Sequence, residues 1–160
     1  MTNKRTLFKV FIFLIVIISI FVGNYFYNES NYFQKILICD YNTEYKNYDE
    51  KIKFTYVDNV LYEYTREETM RPTDSTTMEE ILDLFNGEKE KLKDYISKNF
   101  IYEVTEGNNE VKVKTYIKTM YYEDFYNSYI EDKGITMSST IEEVEKKLGS
   151  EYTCTIKKVR

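Results

Sequence analysis

The longest apolar run of the chain lies at its start. Residues Val10 to Val22 carry no charge, Lys4, Arg5 and Lys9 precede them, and the next charge is Glu29. With Leu7 and Phe8 counted and Lys9 snorkelling to the interface, about 20 residues match the hydrocarbon thickness of a bilayer. The pattern predicts a cytoplasmic tip and transmembrane anchor over residues 1–28. Cations before the run and none just after it predict a cytoplasmic N-terminus, with the rest of the chain outside. Tyr25, Phe26 and Tyr27 fall where an outer aromatic belt would lie. A cleaved signal peptide is the rival reading. The uncleaved anchor is favoured over it, because Phe21 would occupy the −3 position of a cut after Gly23.

Beyond a polar and aromatic spacer (29–34), the period of the pattern changes. Lys35 to Tyr41 reads as a strand. Ile52, Phe54 and Tyr56 alternate with Lys51, Lys53 and Thr55, and Val60, Tyr62 and Tyr64 alternate with Leu61, Glu63 and Thr65. Asp58-Asn59 between these runs marks a hairpin. A two-residue turn would set Tyr56 opposite Leu61. A three-residue loop would set Tyr56 opposite Tyr62 and Phe54 opposite Tyr64, gathering the apolar residues on one face, and is favoured for that reason.

Residues 67–77, with the only Pro, read as a loop. Thr76 and Glu79 have capping-box spacing, and Met78, Ile81, Leu82, Phe85, Leu92, Tyr95 and Ile96 form a helical stripe. Asn86-Gly87 marks a break that could divide it into two helices. A second hairpin follows: Phe100 to Glu106, a turn at Gly107-Asn108-Asn109, then Glu110 to Thr119. Val111, Val113, Thr115 and Ile117 alternate there with lysines. Tyr121 to Glu131 reads as a short helix. Ser139 and Glu142 repeat the capping spacing ahead of Ile141, Val144 and Leu148, and Glu151 to Lys157 closes the chain as a strand. The fold class expected for residues 35–160 is α+β, a mainly antiparallel sheet with helices packed on one face.

Composition narrows the chemistry. The chain has 22 basic and 27 acidic residues, net −5, with no His and no Trp. The three N-terminal cations leave the remainder more acidic still. A protein that coats nucleic acid is not expected, and neither is long-range attraction to anionic lipid or wall polymer. Without His, a His-based triad and a His metal site are closed to this chain alone. No Gly-rich phosphate loop, EF-hand loop, G-x-S-x-G or S-x-x-K pattern occurs, so no cofactor or metal and no catalytic residue is expected. Glu79 and Asp83, Glu67-Glu68, and Glu123-Asp124 are read as solvated charge; a carboxylate-based hydrolase would need two acids to converge in a cleft.

Two cysteines remain, Cys39 on the first strand beyond the spacer and Cys154 on the last. A structural disulfide is the favoured reading, with two buried thiols and a redox pair as alternatives; the absence of CxxC spacing weighs against the last. Tyr occurs 17 times and Phe 10. Core and sheet positions account for most of these rings. Tyr62, Tyr64, Tyr116 and Tyr121 are the candidates for a stacking surface that would bind a small ligand or glycan.

The order of elements, the strand Leu37-Ile38-Cys39-Asp40-Tyr41, the Lys- and Tyr-rich hairpin, the helix Ser139 to Leu148 and the ending Tyr152-Thr153-Cys154 resemble the YehR-like small lipoproteins and their membrane-anchored relatives in Gram-positive bacteria. The likeness covers most of Lys35 to Lys157. It departs at the N-terminus, where no lipidation Cys follows the apolar run. The resemblance implies an extracytoplasmic α+β domain and no activity. The expectation is a non-enzymatic protein of the cell membrane. It would be held there by its N-terminal helix and would bind another envelope protein; a ligand- or glycan-binding module is the alternative.

Overall fold

The computed structural model describes residues 17–21, 34–43, 46–122 and 134–159. Two compact units divide the chain, residues 1–33 with Arg160, and residues 34–159. In the first, residues 17–21 are helical and described. The rest of the anchor expected over residues 1–28 lies outside the described residues. So does the spacer expected over 29–34, apart from Gln34, which begins the first strand. The short helix expected over Tyr121 to Glu131 lies outside them too, apart from Tyr121, which ends a 3-10 turn, and Tyr122. Among the described residues, no helix is long and apolar enough to cross a membrane.

The second unit is an α+β domain built on six strands: β1 (Gln34–Tyr41), β2 (Tyr48–Val57), β3 (Val60–Met70), β4 (Phe100–Gly107), β5 (Glu110–Lys118) and β6 (Tyr152–Val159). They form one sheet in the order β4-β5-β3-β2-β1-β6, and every neighbouring pair is antiparallel. Helix α1 (Met78–Leu92) follows β3, and α2 (Ile141–Leu148) precedes β6.

Alternation puts one residue set on the helix-covered face. Leu37, Cys39, Ile52, Phe54, Tyr64, Phe100, Tyr102, Val111, Val113 and Ile117 are buried there. Ile81 and Phe85 of α1 and Ile141, Val144 and Leu148 of α2 join the same core. The opposite face is open and polar. Across it the register sets Glu103 opposite Lys114, Lys114 opposite Glu67, Glu67 opposite Lys51, and Lys51 opposite Asp40. Alternating charge on neighbouring strands favours this pairing over a slipped one. Lys51 Nζ lies 3.1 Å from Asp40 Oδ1.

The first hairpin combines the two registers weighed from the sequence. Its turn has two residues, not three: Val57 pairs with Val60, and Tyr56 with Leu61. Asp58 and Asn59 both have positive φ, 50° and 64°, as a type I′ turn requires. The register then shifts between Thr55 and Tyr56, leaving Tyr62 as the extra residue of a bulge, and Phe54 faces Tyr64 after all. Burial of the aromatic pair wins beyond the bulge, and turn geometry wins before it.

Other boundaries also differ from the sequence reading. Strand β3 continues to Met70 through residues expected as loop. Its extension pairs with β2 and β5 on both sides, which overrides its polar composition. Helix α1 runs unbroken through Gly87 and ends at Leu92, so Tyr95 and Ile96 lie beyond it. Both capping boxes sit one residue later than expected, at Thr77 with Glu80 and at Thr140 with Glu143. The sequences Thr76-Thr77 and Ser139-Thr140 offer a cap at either position, but Thr76 is bridged to Thr73 and the Ser139 hydroxyl accepts from the Thr136 backbone N–H, so the later residue caps each helix.

Candidate functional site

The cysteines meet across the sheet. Cys39 and Cys154 are register partners on β1 and β6, with Cα atoms 4.1 Å apart, and are joined by a disulfide. Strand β6 is an edge strand, and Tyr152 is its one buried side chain. The bond therefore ties a lightly packed edge to the interior of the sheet. It closes a separation of 115 residues. A loop near 100 residues is worth about 4.7 kcal/mol in the chain-entropy model, though measured gains are often smaller.

Of the four tyrosines singled out from the sequence, three gather on the open face. The bulge turns Tyr62 outward beside Lys118, whose Nζ lies 4.8 Å from the Tyr62 ring centroid and 5.6 Å from that of Tyr121. Contact with the Tyr62 hydroxyl holds the Lys118 ammonium above its ordinary range. Tyr116 lies on the same face and donates to Glu63 Oε1 at 2.9 Å. Partial burial, then this bond and the Glu63 charge, push its phenol up to about 12. Cation–π contacts at exposed sites contribute about 0.5–1 kcal/mol, so the cluster is ordered by weak contacts. Tyr64 is not part of it. It is buried, its ring 5.6 Å from that of Phe54, and it cannot serve as a stacking platform.

The sequence reading missed a second constellation, on the helix-covered face near the far end of β2 and β3. Glu50 and Glu68 are buried directly opposite each other. Arg66 reaches both: its Nε is 2.5 Å from Glu50 Oε1 and its Nη2 is 3.1 Å from Glu68 Oε1. Tyr152 donates to Glu50 Oε2 at 2.6 Å, and Tyr48 donates to Glu68 Oε1 at 3.1 Å. The Tyr41 ring packs between Tyr48 and Tyr152 at 5.9 and 5.2 Å. Burial, reinforced by the nearby Glu50 charge and opposed by Arg66, raises the Glu68 carboxyl above its ordinary value. Burial likewise raises the phenols of Tyr48 and Tyr152, which stay protonated and donate. Each carboxyl thus has a cation and a hydroxyl, as a buried acid requires.

This network was visible in principle. On β2, Glu50 falls in phase with Ile52 and Phe54. On β3, Arg66 and Glu68 fall in phase with Tyr64. Charges in the apolar phase of two paired strands are the signal, and ending β3 at Arg66 hid it. Among the described residues, no group of three or more His, Cys, Asp or Glu could hold a metal ion. Open hollows on the sheet near Glu67 are shallow; the larger measures about 390 Å³ and is bordered by Glu67, Glu103 and Lys114.

No protein-family model matches the chain, and no curated protein matches it. Solved structures do match. The NMR structure of a protein from Streptococcus pneumoniae TIGR4 is similar with a TM-score of 0.53 at 12% identity, over 76% of this chain and 85% of that one. The NMR structure of the Escherichia coli YehR protein is similar with a TM-score of 0.53 at 12% identity, over 72% of this chain and 88% of that one. The domain therefore has a YehR-like fold. Likeness at this identity speaks to the fold alone.

Proposed function

We propose that the chain is a membrane-anchored, extracytoplasmic domain with a non-enzymatic binding role toward another protein of the cell envelope. The Cys39–Cys154 disulfide carries this reading. Such bonds persist in oxidising compartments and are rare in the cytosol. The charge-free run after Lys4, Arg5 and Lys9 supports the same side of the membrane for the domain. The non-enzymatic part rests on the buried network. Glu50 and Glu68 are engaged by Arg66 and by tyrosine hydroxyls, an arrangement that positions strands rather than presenting an acid and a base to a substrate.

Protease treatment of intact cells and of inverted membrane vesicles tests this reading. The domain should be digested in the first and protected in the second. The reverse pattern would overturn it.

A second reading has its own observation. Tyr62 and Tyr121 present rings on the open face with Lys118 between them, which suits a planar ligand or a sugar ring. On this reading, replacing both tyrosines by Ala should lower affinity for a captured glycan or small ligand at least tenfold, or about 1.4 kcal/mol, with the fold intact. Unchanged binding by the double variant would remove it.

A further inference from the structure

The exposed apolar side chains of the domain are not scattered. Among the described residues of the unit 34–159, eight large hydrophobic residues stand exposed, and six of them, Val60, Tyr95, Ile96, Met120, Tyr121 and Val159, are 38–57% exposed and lie at one end of the sheet. Strand register fixes this. Val60 is the first residue of β3 after the β2–β3 turn, and its partner Val57 pairs with Gln34, the first residue of β1. Gln34 in turn pairs with Val159 at the end of β6. Met120 and Tyr121 directly follow the end of β5, where Ile117 pairs with Phe100 at the start of β4. Tyr95 and Ile96 join the same end, since Tyr122 donates from its hydroxyl to the Tyr95 carbonyl and the Tyr95 ring packs on Phe100. The opposite end carries the other turns, with Asp49, Asp74, Glu106 and Glu110, and none of these apolar side chains.

This is also the end at which the chain enters the domain. Resting on the anchored reading above, we infer that this end of the domain docks onto the outer face of the bilayer, with Tyr95, Ile96, Met120 and Tyr121 in the interfacial layer. The tether supports it. If the anchor occupies residues 1–28, five residues separate it from β1 and span at most about 18 Å. A ten-residue strand such as β2 is about 34 Å long, so the tether cannot bring the far end to the membrane as easily as the near one. The side chains suit the interface as well. Tyr favours the head-group layer, and aliphatic side chains gain by entering it. Lys98, Lys157 and Lys158 lie toward the same end of the sheet, and long cationic side chains there suit lipid phosphates. The sequence between Tyr122 and Gly134 is acidic, so the docking is assigned to aromatic and aliphatic insertion rather than to net charge.

The chain has no Trp, so a single introduced Trp is a unique reporter. Full-length Tyr121→Trp, Met120→Trp and, at the far end, Thr105→Trp would be placed in phosphatidylcholine nanodiscs with and without brominated acyl chains. Insertion of about 5–10 Å should quench Tyr121→Trp and Met120→Trp roughly twofold in brominated discs and leave Thr105→Trp unchanged. Two exposed reporters guard against one variant misfolding. A chain retained in the disc whose Tyr121→Trp and Met120→Trp reporters are both unquenched would overturn the docking while leaving the anchor standing. Equal quenching of Thr105→Trp would overturn the orientation. A chain not retained in the disc would remove the anchored reading and the docking with it.

Discussion

At the scale of single residues, the Glu50–Arg66–Glu68 network makes the clearest demands. The folded state raises the Glu68 carboxyl above its unfolded value of 4.5. Folding therefore favours the protonated acid, and this group's contribution to stability is present below the unfolded pKa. It is lost as pH rises through the higher folded pKa. Urea midpoints of the wild-type domain should accordingly gain a component that rises as pH falls toward the unfolded value of 4.5. Glu68→Gln should lose that component and keep the Tyr48 and Arg66 bonds to Oε1. An unchanged pH slope in Glu68→Gln would place the titration elsewhere. Glu50→Ala is the contrasting case. It removes the Glu50 acceptor of both Arg66 Nε and the Tyr152 hydroxyl while Arg66 keeps its contact with Glu68, and should cost about 1–3 kcal/mol at neutral pH, read from the same urea curves. Arg66 is partly exposed, which keeps the cost below that of a fully buried pair.

At the scale of elements, local rules set the ends and tertiary pairing sets the extents. Asn59 holds a φ of 64° in the first turn. Asn59→Gly should be neutral or stabilising by up to about 1 kcal/mol, and Asn59→Val should destabilise by about 1–2 kcal/mol. Thermal unfolding of the two variants checks both signs. Thr77 and Thr140 each accept from the backbone of the residue three positions on, Glu80 and Glu143. Removing either cap with Ala should cost about 1 kcal/mol. The six strands and two helices were legible because period-2 and period-3.6 runs in this chain are clean, as in Val111 to Ile117 and Ile141 to Leu148. The bulge at Tyr62 was not legible. Each register satisfied one rule, and a sequence pattern cannot show a strand obeying both in succession. The continuation of β3 past Arg66 was hidden for a related reason. Glu67, Glu68 and Thr69 read as polar loop until β2 and β5 supply partners on either side. The buried network followed from that missed extension. The outward cluster of Tyr62, Tyr116 and Tyr121 was visible as candidates. Which tyrosine would instead be buried was not, because it depends on the bulge.

At the scale of the whole molecule, chain order and spatial order part at one point that matters. The last strand returns to pair with the first, so β6 ends the sheet beside β1. Sequence alone placed a cysteine on each of these strands, and the antiparallel register makes them direct partners. One covalent bond thus joins the two ends of the domain at the edge that packing holds least. Replacing both cysteines by Ala should cost about 2–5 kcal/mol, most of it through the unfolded state. Amide exchange in the variant should accelerate first in 152–159 and then in β1, which loses its cover on that side. The YehR-like likeness, at 12% identity, belongs to this scale too, since a similar fold is kept where few side chains are identical.

The most direct test of the account is the intact mass of the full-length chain extracted from its native membrane and alkylated with and without prior reduction. The account predicts that neither thiol labels before reduction, that both label after it, and that the mass includes residues 1–28. Two labels without reductant would mean that the cysteines are free in the cell. The bond that carries the extracytoplasmic assignment would then be absent, and that assignment would fall.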